Sequence, residues 1–141
     1  MKIEWKQEYS VGINEIDDQH KRFFVIIEKL DDIVQSGGTR EDTVRTLTDL
    51  ASYANYHFSV EEKYFEQYEY EETEAHTAMH NAYEKKLEDF IERLKGDDPA
   101  LAPDLATFSK EWLISHILKE DKKYSETFIE NGFSDEDIPG I

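Results

Sequence analysis

Five histidines, His20, His57, His76, His80 and His116, are the residues of this 141-residue chain with the clearest capacity for chemistry. The chain contains no cysteine, so thiolate ligands and disulfides are excluded and metal binding falls to imidazole and carboxylate. His57 and Glu61 stand four residues apart, as do His76 and His80, so on a helix each pair projects from one face. Either spacing alone arises often by chance. Taken with His20 and His116 on other segments, the pairs describe a shared site. An N/O donor set of this kind suits iron, zinc, copper, nickel or manganese, and ligand type alone leaves the metal open.

The segments that must position these residues read as helices. His20, Phe23, Phe24, Ile27, Leu30 and Val34 recur at three- and four-residue steps, and Ser36-Gly37-Gly38 ends that stripe. Thr39 followed by Asp42 predicts an N-terminal cap for a second helix, whose face carries Val44, Leu47, Leu50, Ala54, His57, Phe58, Glu61 and Phe65. A third face runs through His76, Met79, His80, Tyr83, Leu87, Phe90, Ile91 and Leu94 and stops at Lys95-Gly96. Asp98-Pro99 reads as a cap with proline in the first helical position, opening a fourth face of Leu105, Phe108, Trp112, Leu113, His116 and Ile117. Residues 1–17 lack helical periodicity and read as an extended arm packed by Trp5, Tyr9 and Val11. After Asp121 a further short helix is expected, up to Asn131-Gly132.

The expected fold is therefore all-α, an up-down-up-down four-helix bundle with an extended N-terminal arm. One domain covers 1–141, with the arm at 1–17, the bundle at 18–131 and a tail at 132–141. In alternating helices His20 lies near the start of the first, His57 and Glu61 near the end of the second, His76 and His80 near the start of the third, and His116 late in the fourth. Those places share one level. Burying so many imidazoles without partners for their ring nitrogens is costly, which favours a common site over separate core positions.

Composition narrows the partners. The net charge of −17 opposes nucleic acid and anionic membrane surfaces and favours cations. Met1 to Gln7 hold no apolar core of signal-peptide length, and no apolar run approaches the roughly 20 residues of a membrane span. The cytoplasm is the expected compartment.

The sequence resembles the bacterial hemerythrins along nearly its whole length. The likeness is carried by Trp5 to Ile16 leading into Asp17-Asp18-Gln19-His20, and by His57-Phe58-Ser59-Val60-Glu61-Glu62. It continues through His76-Thr77-Ala78-Met79-His80 and from Trp112 to Asp121. The resemblance implies a cofactor of two Fe ions with a bridging oxo or hydroxo group. It implies that His76, His80 and His116 bind one iron, His20 and His57 the other, and that Glu61 and Asp121 bridge them. It also implies that Phe58, Trp112, Leu113 and Ile117 line the O2 pocket. Phe23, Phe24 and Phe65 stand where the family more often has aliphatic or methionine side chains, which would reshape that pocket. Asp121 does not follow from spacing. Five residues after His116 it lies roughly 140° around an ideal helix, where Glu120 would be the geometric choice. A wide local turn of the i-to-i+5 kind would select Asp121.

With those ligands, two octahedral irons are left with one open position, on the iron held by His20 and His57. That suits reversible O2 binding for transport, storage or delivery, without a catalytic residue. The ferritin-like oxidases use more carboxylates and Glu-x-x-His pairs, and no such pair occurs here. The expected partners are O2 and a reductase or O2-consuming enzyme. A di-iron enzyme acting on peroxide or nitric oxide, an oxygen or iron sensor, and an iron-storage protein are the alternative readings.

Overall fold

Helices follow from the apolar stripes of the sequence, and the computed structural model describes residues 4–96, 98–130 and 132. A short 3-10 turn, Gln7–Tyr9, precedes α1 (Asn14–Ser36), α2 (Arg40–Gln67), α3 (Thr73–Arg93) and α4 (Leu101–His116). A π turn, Ile117–Asp121, then joins α4 to α5 (Lys122–Glu130). No strand occurs among the described residues. α1 packs against α2 and α4, α2 against α3, and α3 against α4, which is the cyclic neighbour pattern of an up-down-up-down bundle. Of the expected tail 132–141, only Gly132 falls within the described residues.

Local chemistry sets the helix ends. Gly37 terminates α1 in the left-handed region at φ 69° and returns its N–H to the Ile33 carbonyl. Thr39 caps α2 in a reciprocal box: its hydroxyl accepts from the Asp42 N–H at 3.1 Å, and Asp42 accepts from the Thr39 N–H at 3.1 Å. Asp98, in contrast, does not cap α4, which begins two residues after Pro99 with Ala100 at its boundary. Its carboxylate instead staples the connection, accepting from the Ala100 N–H at 2.9 Å and from Arg93 Nη2 at 2.6 Å. Pro103 sits in the first turn of α4, where a missing N–H costs nothing because that donor has no partner within the helix.

α1 starts at Asn14, inside the stretch expected to be an arm. Ile16 of its first turn is buried and continues the stripe of His20 and Phe23, while Asp17 serves the arm: its carboxylate accepts the Ser10 hydroxyl at 2.5 Å and the Val11 N–H at 2.8 Å. Trp5, Tyr9 and Phe24 meet edge to face with centroids 5.5–5.8 Å apart, fastening the arm to α1.

Below the histidine level the bundle is filled by Leu30, Leu47, Leu50, Leu87 and Leu105, each at most 2% exposed. Burying each contributes about 1.5–3 kcal/mol. Tyr83 crosses this core and donates to the Ser109 hydroxyl at 3.0 Å, so its phenol is not left unpaired. Two residues expected on the apolar stripes lie outside it. Val34 is 40% and Ile91 41% exposed, because both sit in terminal turns that neighbouring helices do not cover.

Candidate metal centre

The residues of the site arrive from every long helix. α1 supplies His20, α2 His57 and Glu61, α3 His76 and His80, α4 His116, and the π turn Asp121. All are buried, with exposures from 0% to 5%. The π turn answers the spacing problem at Asp121. An extra residue per turn widens the helix and swings a side chain five positions after His116 onto the face of His116.

The donor atoms converge. Asp121 Oδ1 lies 3.1 Å from His76 Nε2 and 3.1 Å from His116 Nε2, while its Oδ2 lies 3.0 Å from His20 Nε2. Glu61 Oε1 stands 3.1 Å from His80 Nε2, 3.4 Å from His57 Nε2 and 4.0 Å from His76 Nε2. Two sets result, Glu61 with His76, His80 and His116, and Asp121 and Glu61 with His20 and His57. Within each set, one ligand atom from every residue lies within 4.8 Å of the rest. The carboxylates serve the sets differently. Asp121 turns one oxygen to each, whereas Glu61 turns Oε1 to both and gives Oε2 to the Tyr124 hydroxyl.

Neighbouring groups orient the rings. His57 Nδ1 donates to Gln19 Oε1 at 2.6 Å, and His80 Nδ1 donates to Glu62 Oε2 at 2.8 Å. Each bond places the ring proton on Nδ1 and aims the Nε2 lone pair into the centre. Flat aromatic contacts hold two more faces: Phe58 lies 3.9 Å over His80 at 5°, and Trp112 lies 4.3 Å over His116 at 12°. Phe65 meets His76 edge-on at 4.7 Å, and Phe23 meets His57 edge-on at 5.4 Å.

Electrostatics favour ionised carboxylates and a neutral His57. Burial brings His57 down to about 4, against a smaller upward pull from Glu61. Burial and the Asp121 charge raise the Glu61 carboxyl, but His57 and His80 outweigh them and hold it at about 2. Burial likewise pushes Asp121 up, and the facing imidazoles, His116 foremost, bring it well below the usual carboxylate range. Burial lowers His80, yet the facing carboxylates of Glu61 and Glu62 leave it raised overall. Tyr124 is held well above its ordinary value by burial and then by the charges of Glu61 and Asp121, so it remains a donor.

The donor set fits metal ions. His20 Nε2, His80 Nε2, Glu61 Oε1 and both Asp121 oxygens are buried without a hydrogen-bond partner. Stranded acceptors aimed at one another are expensive unless a cation lies between them. Imidazole and carboxylate without sulfur is the donor chemistry of iron, manganese or zinc.

Every residue singled out from spacing or resemblance as a ligand reaches this cluster. Of the expected pocket residues, Phe58, Leu113 and Ile117 are buried at 3% exposure or less, and Trp112 is partly buried. Sequence reasoning assigned no role to Gln19, Glu62 or Tyr124. Gln19 and Glu62 adjoin ligand positions, and Tyr124 follows Asp121 by three residues on the same helical face, which was the available signal.

Residues 11–128 match the family model described as the hemerythrin HHE cation binding domain. The chain is 29% identical over 124 residues to a bacteriohemerythrin of Clostridium acetobutylicum, covering 85% of this chain and 96% of that protein. It is 30% identical over 121 residues to a myohemerythrin of Theromyzon tessulatum, covering 86% of this chain and 89% of that protein. Among solved structures, a hemerythrin with a leucine-to-tyrosine mutation superposes with a TM-score of 0.79 at 27% identity. That alignment covers 89% of this chain and 97% of the other.

Proposed function

The chain belongs to the hemerythrin family, whose members bind O2 reversibly at a non-haem di-iron centre and act as carriers rather than enzymes, and from that premise we propose how its own residues divide the work. In this reading His76, His80 and His116 hold one iron and His20 and His57 the other, with Glu61 and Asp121 shared between them. The observation that carries it is the pair of buried donor sets meeting at Glu61, with Asp121 presenting one oxygen toward His76 and His116 and the other toward His20. The two irons, when bound, supply the electrons that make O2 binding reversible.

The protein's own part is to orient and to exclude water. Gln19 and Glu62 fix ring tautomers, Tyr124 holds Glu61, and Phe58, Trp112, Leu113 and Ile117 wall the O2 pocket. With three histidines to one ion and two to the other, the ion that His20 and His57 would hold is the one with room for O2. An apolar wall of this kind excludes water and the protons it would carry from the site.

No helix of the described chain is long and apolar enough to cross a membrane. Our reading places the protein in the cytoplasm, with O2 as ligand and a reductase or O2-consuming enzyme as partner; the family match supports O2. An anaerobic-to-aerobic optical titration tests the function. Reduced protein loaded with two irons per chain gains a charge-transfer band in air and loses it on deoxygenation. Irreversible oxidation on first exposure would sink the proposal.

A further inference from the structure

Trp112 is placed differently from the other aromatic residues of the site. Its indole stacks on His116 at 4.3 Å and 12°, on Tyr83 at 4.3 Å and 25°, and meets Phe58 at 5.8 Å. Phe58 in turn stacks on His80 at 3.9 Å. Two imidazoles of the centre therefore lead to one indole, His116 directly and His80 through a phenyl ring.

The ring systems also differ in access to solvent. His20, His57, His76 and His80 are at most 1% exposed, and Phe58 is 2% exposed. His116 is 5% exposed, and with the partly buried Trp112 it lines an open groove of about 480 Å³ between Met79, Phe108, Lys119 and Glu120. Indole stacked flat on His116 offers an extended π system that carries electronic coupling from the groove to a ligand ring, which an aliphatic side chain there would not.

We propose that Trp112 is the electron port of the centre, through which a one-electron donor reaching the groove reduces metal ions held by the buried histidines. This rests on the proposed occupancy of the centre by redox-active iron. One electron leaves the donor for each ferric ion that becomes ferrous. It crosses the stacked indole and imidazole, and no bond in Trp112 is made or broken. A port of this kind restores the O2-binding state after accidental oxidation without opening the dry pocket to water.

The test uses iron-loaded, oxidised protein and the methyl viologen radical cation, a donor drawn to a chain of net charge −17. Iron content and far-UV circular dichroism are matched before stopped-flow reduction. Trp112→Leu slows reduction about tenfold, while Phe108→Leu, altered in the groove but off the His116 stack, stays near the wild-type rate. An unchanged rate in Trp112→Leu overturns the proposal, and so does equal slowing by Phe108→Leu, which would point to the groove alone. A second readout needs no turnover. The chain has two tryptophans, so Trp5→Phe leaves Trp112 as the sole indole, excited selectively at wavelengths tyrosine does not absorb, and iron loading should quench it several-fold. Unchanged emission on loading overturns the port. A chain that takes up no iron overturns the function reading as well, whereas iron uptake with unaltered rates overturns the port alone.

Discussion

Tyr124 and Glu61 are joined by a hydrogen bond sealed from water: the phenol donates to Oε2, while Oε1 of the same carboxylate faces His57, His76 and His80. The bond decides which oxygen of Glu61 is free to turn toward both donor sets. A carboxylate oxygen has lone pairs to spare, so Oε2 can accept the phenol and still face a cation.

Tyr124→Phe removes that donor without changing ring packing against Phe65, His76 and Phe128. The stranded oxygen should lower the stability of the metal-free protein by about 1–3 kcal/mol. Thermal or urea unfolding of chelator-treated protein measures this. Equal stability in the two proteins would mean that the bond does not organise the site.

Glu62 fixes His80 through Nδ1, as Gln19 fixes His57. Glu62→Ala should weaken metal binding about 10- to 100-fold, the usual cost of losing such an orienting partner. Glu62→Gln, which keeps an acceptor oxygen, should lose less. Competition against a chelator of known affinity ranks the variants, and equal losses for Ala and Gln would count against orientation as the cause.

His76 Nε2 lies 3.1 Å from Asp121 Oδ1 and 3.1 Å from His116 Nε2, at the middle of the three-histidine set. His76→Ala should leave no more than one tightly held metal per chain. Elemental analysis after dialysis reads the stoichiometry, and full retention of a pair would refute the proposed division of ligands.

Acid should destabilise the metal-free protein in two stages. His57 is brought down to about 4, so between its ordinary 6.5 and that value the unfolded chain takes up a proton that the folded chain refuses. Stability falls with pH across that window, by about 1.4 kcal/mol per unit from this group. His80, raised overall, works the other way and offsets part of the loss. Further down, Glu61 and Asp121 have depressed values, so their contribution is present above the ordinary carboxylate range and is lost as pH falls through it. Melting temperatures of chelated protein from pH 7.5 to 4 test the sign, and His57→Gln should flatten the upper part of the curve.

How much was legible beforehand varies with the kind of signal. The bundle was readable because Phe23, Ile27 and Leu30, or Leu47, Leu50 and Ala54, recur with the helix period, and Thr39 with Asp42 announces a cap. His57 with Glu61 and His76 with His80 were readable because helix geometry puts residues four apart on one face. Asp121 was not readable from spacing, since a π turn depends on how α4 and α5 pack and has no periodic signature. The Asp98 staple and the helical start at Asn14 were hidden for a related reason. In both, a side chain bonds to the connection beside it and not to the helix end that its type suggests.

The five-residue turn from Ile117 to Asp121 leaves the last bundle helix one residue longer than an unbroken α-helix would need. Elsewhere in a helix a deletion rotates everything downstream by about 100° and takes the apolar stripe off the core. Here, losing Lys119 lets the backbone close into the ordinary ladder, brings the aspartate to the fourth position after His116, and keeps Tyr124 and Phe128 facing inward. Within this helix the chain thus has a place where its length can change without its register changing, and it lies in the centre itself.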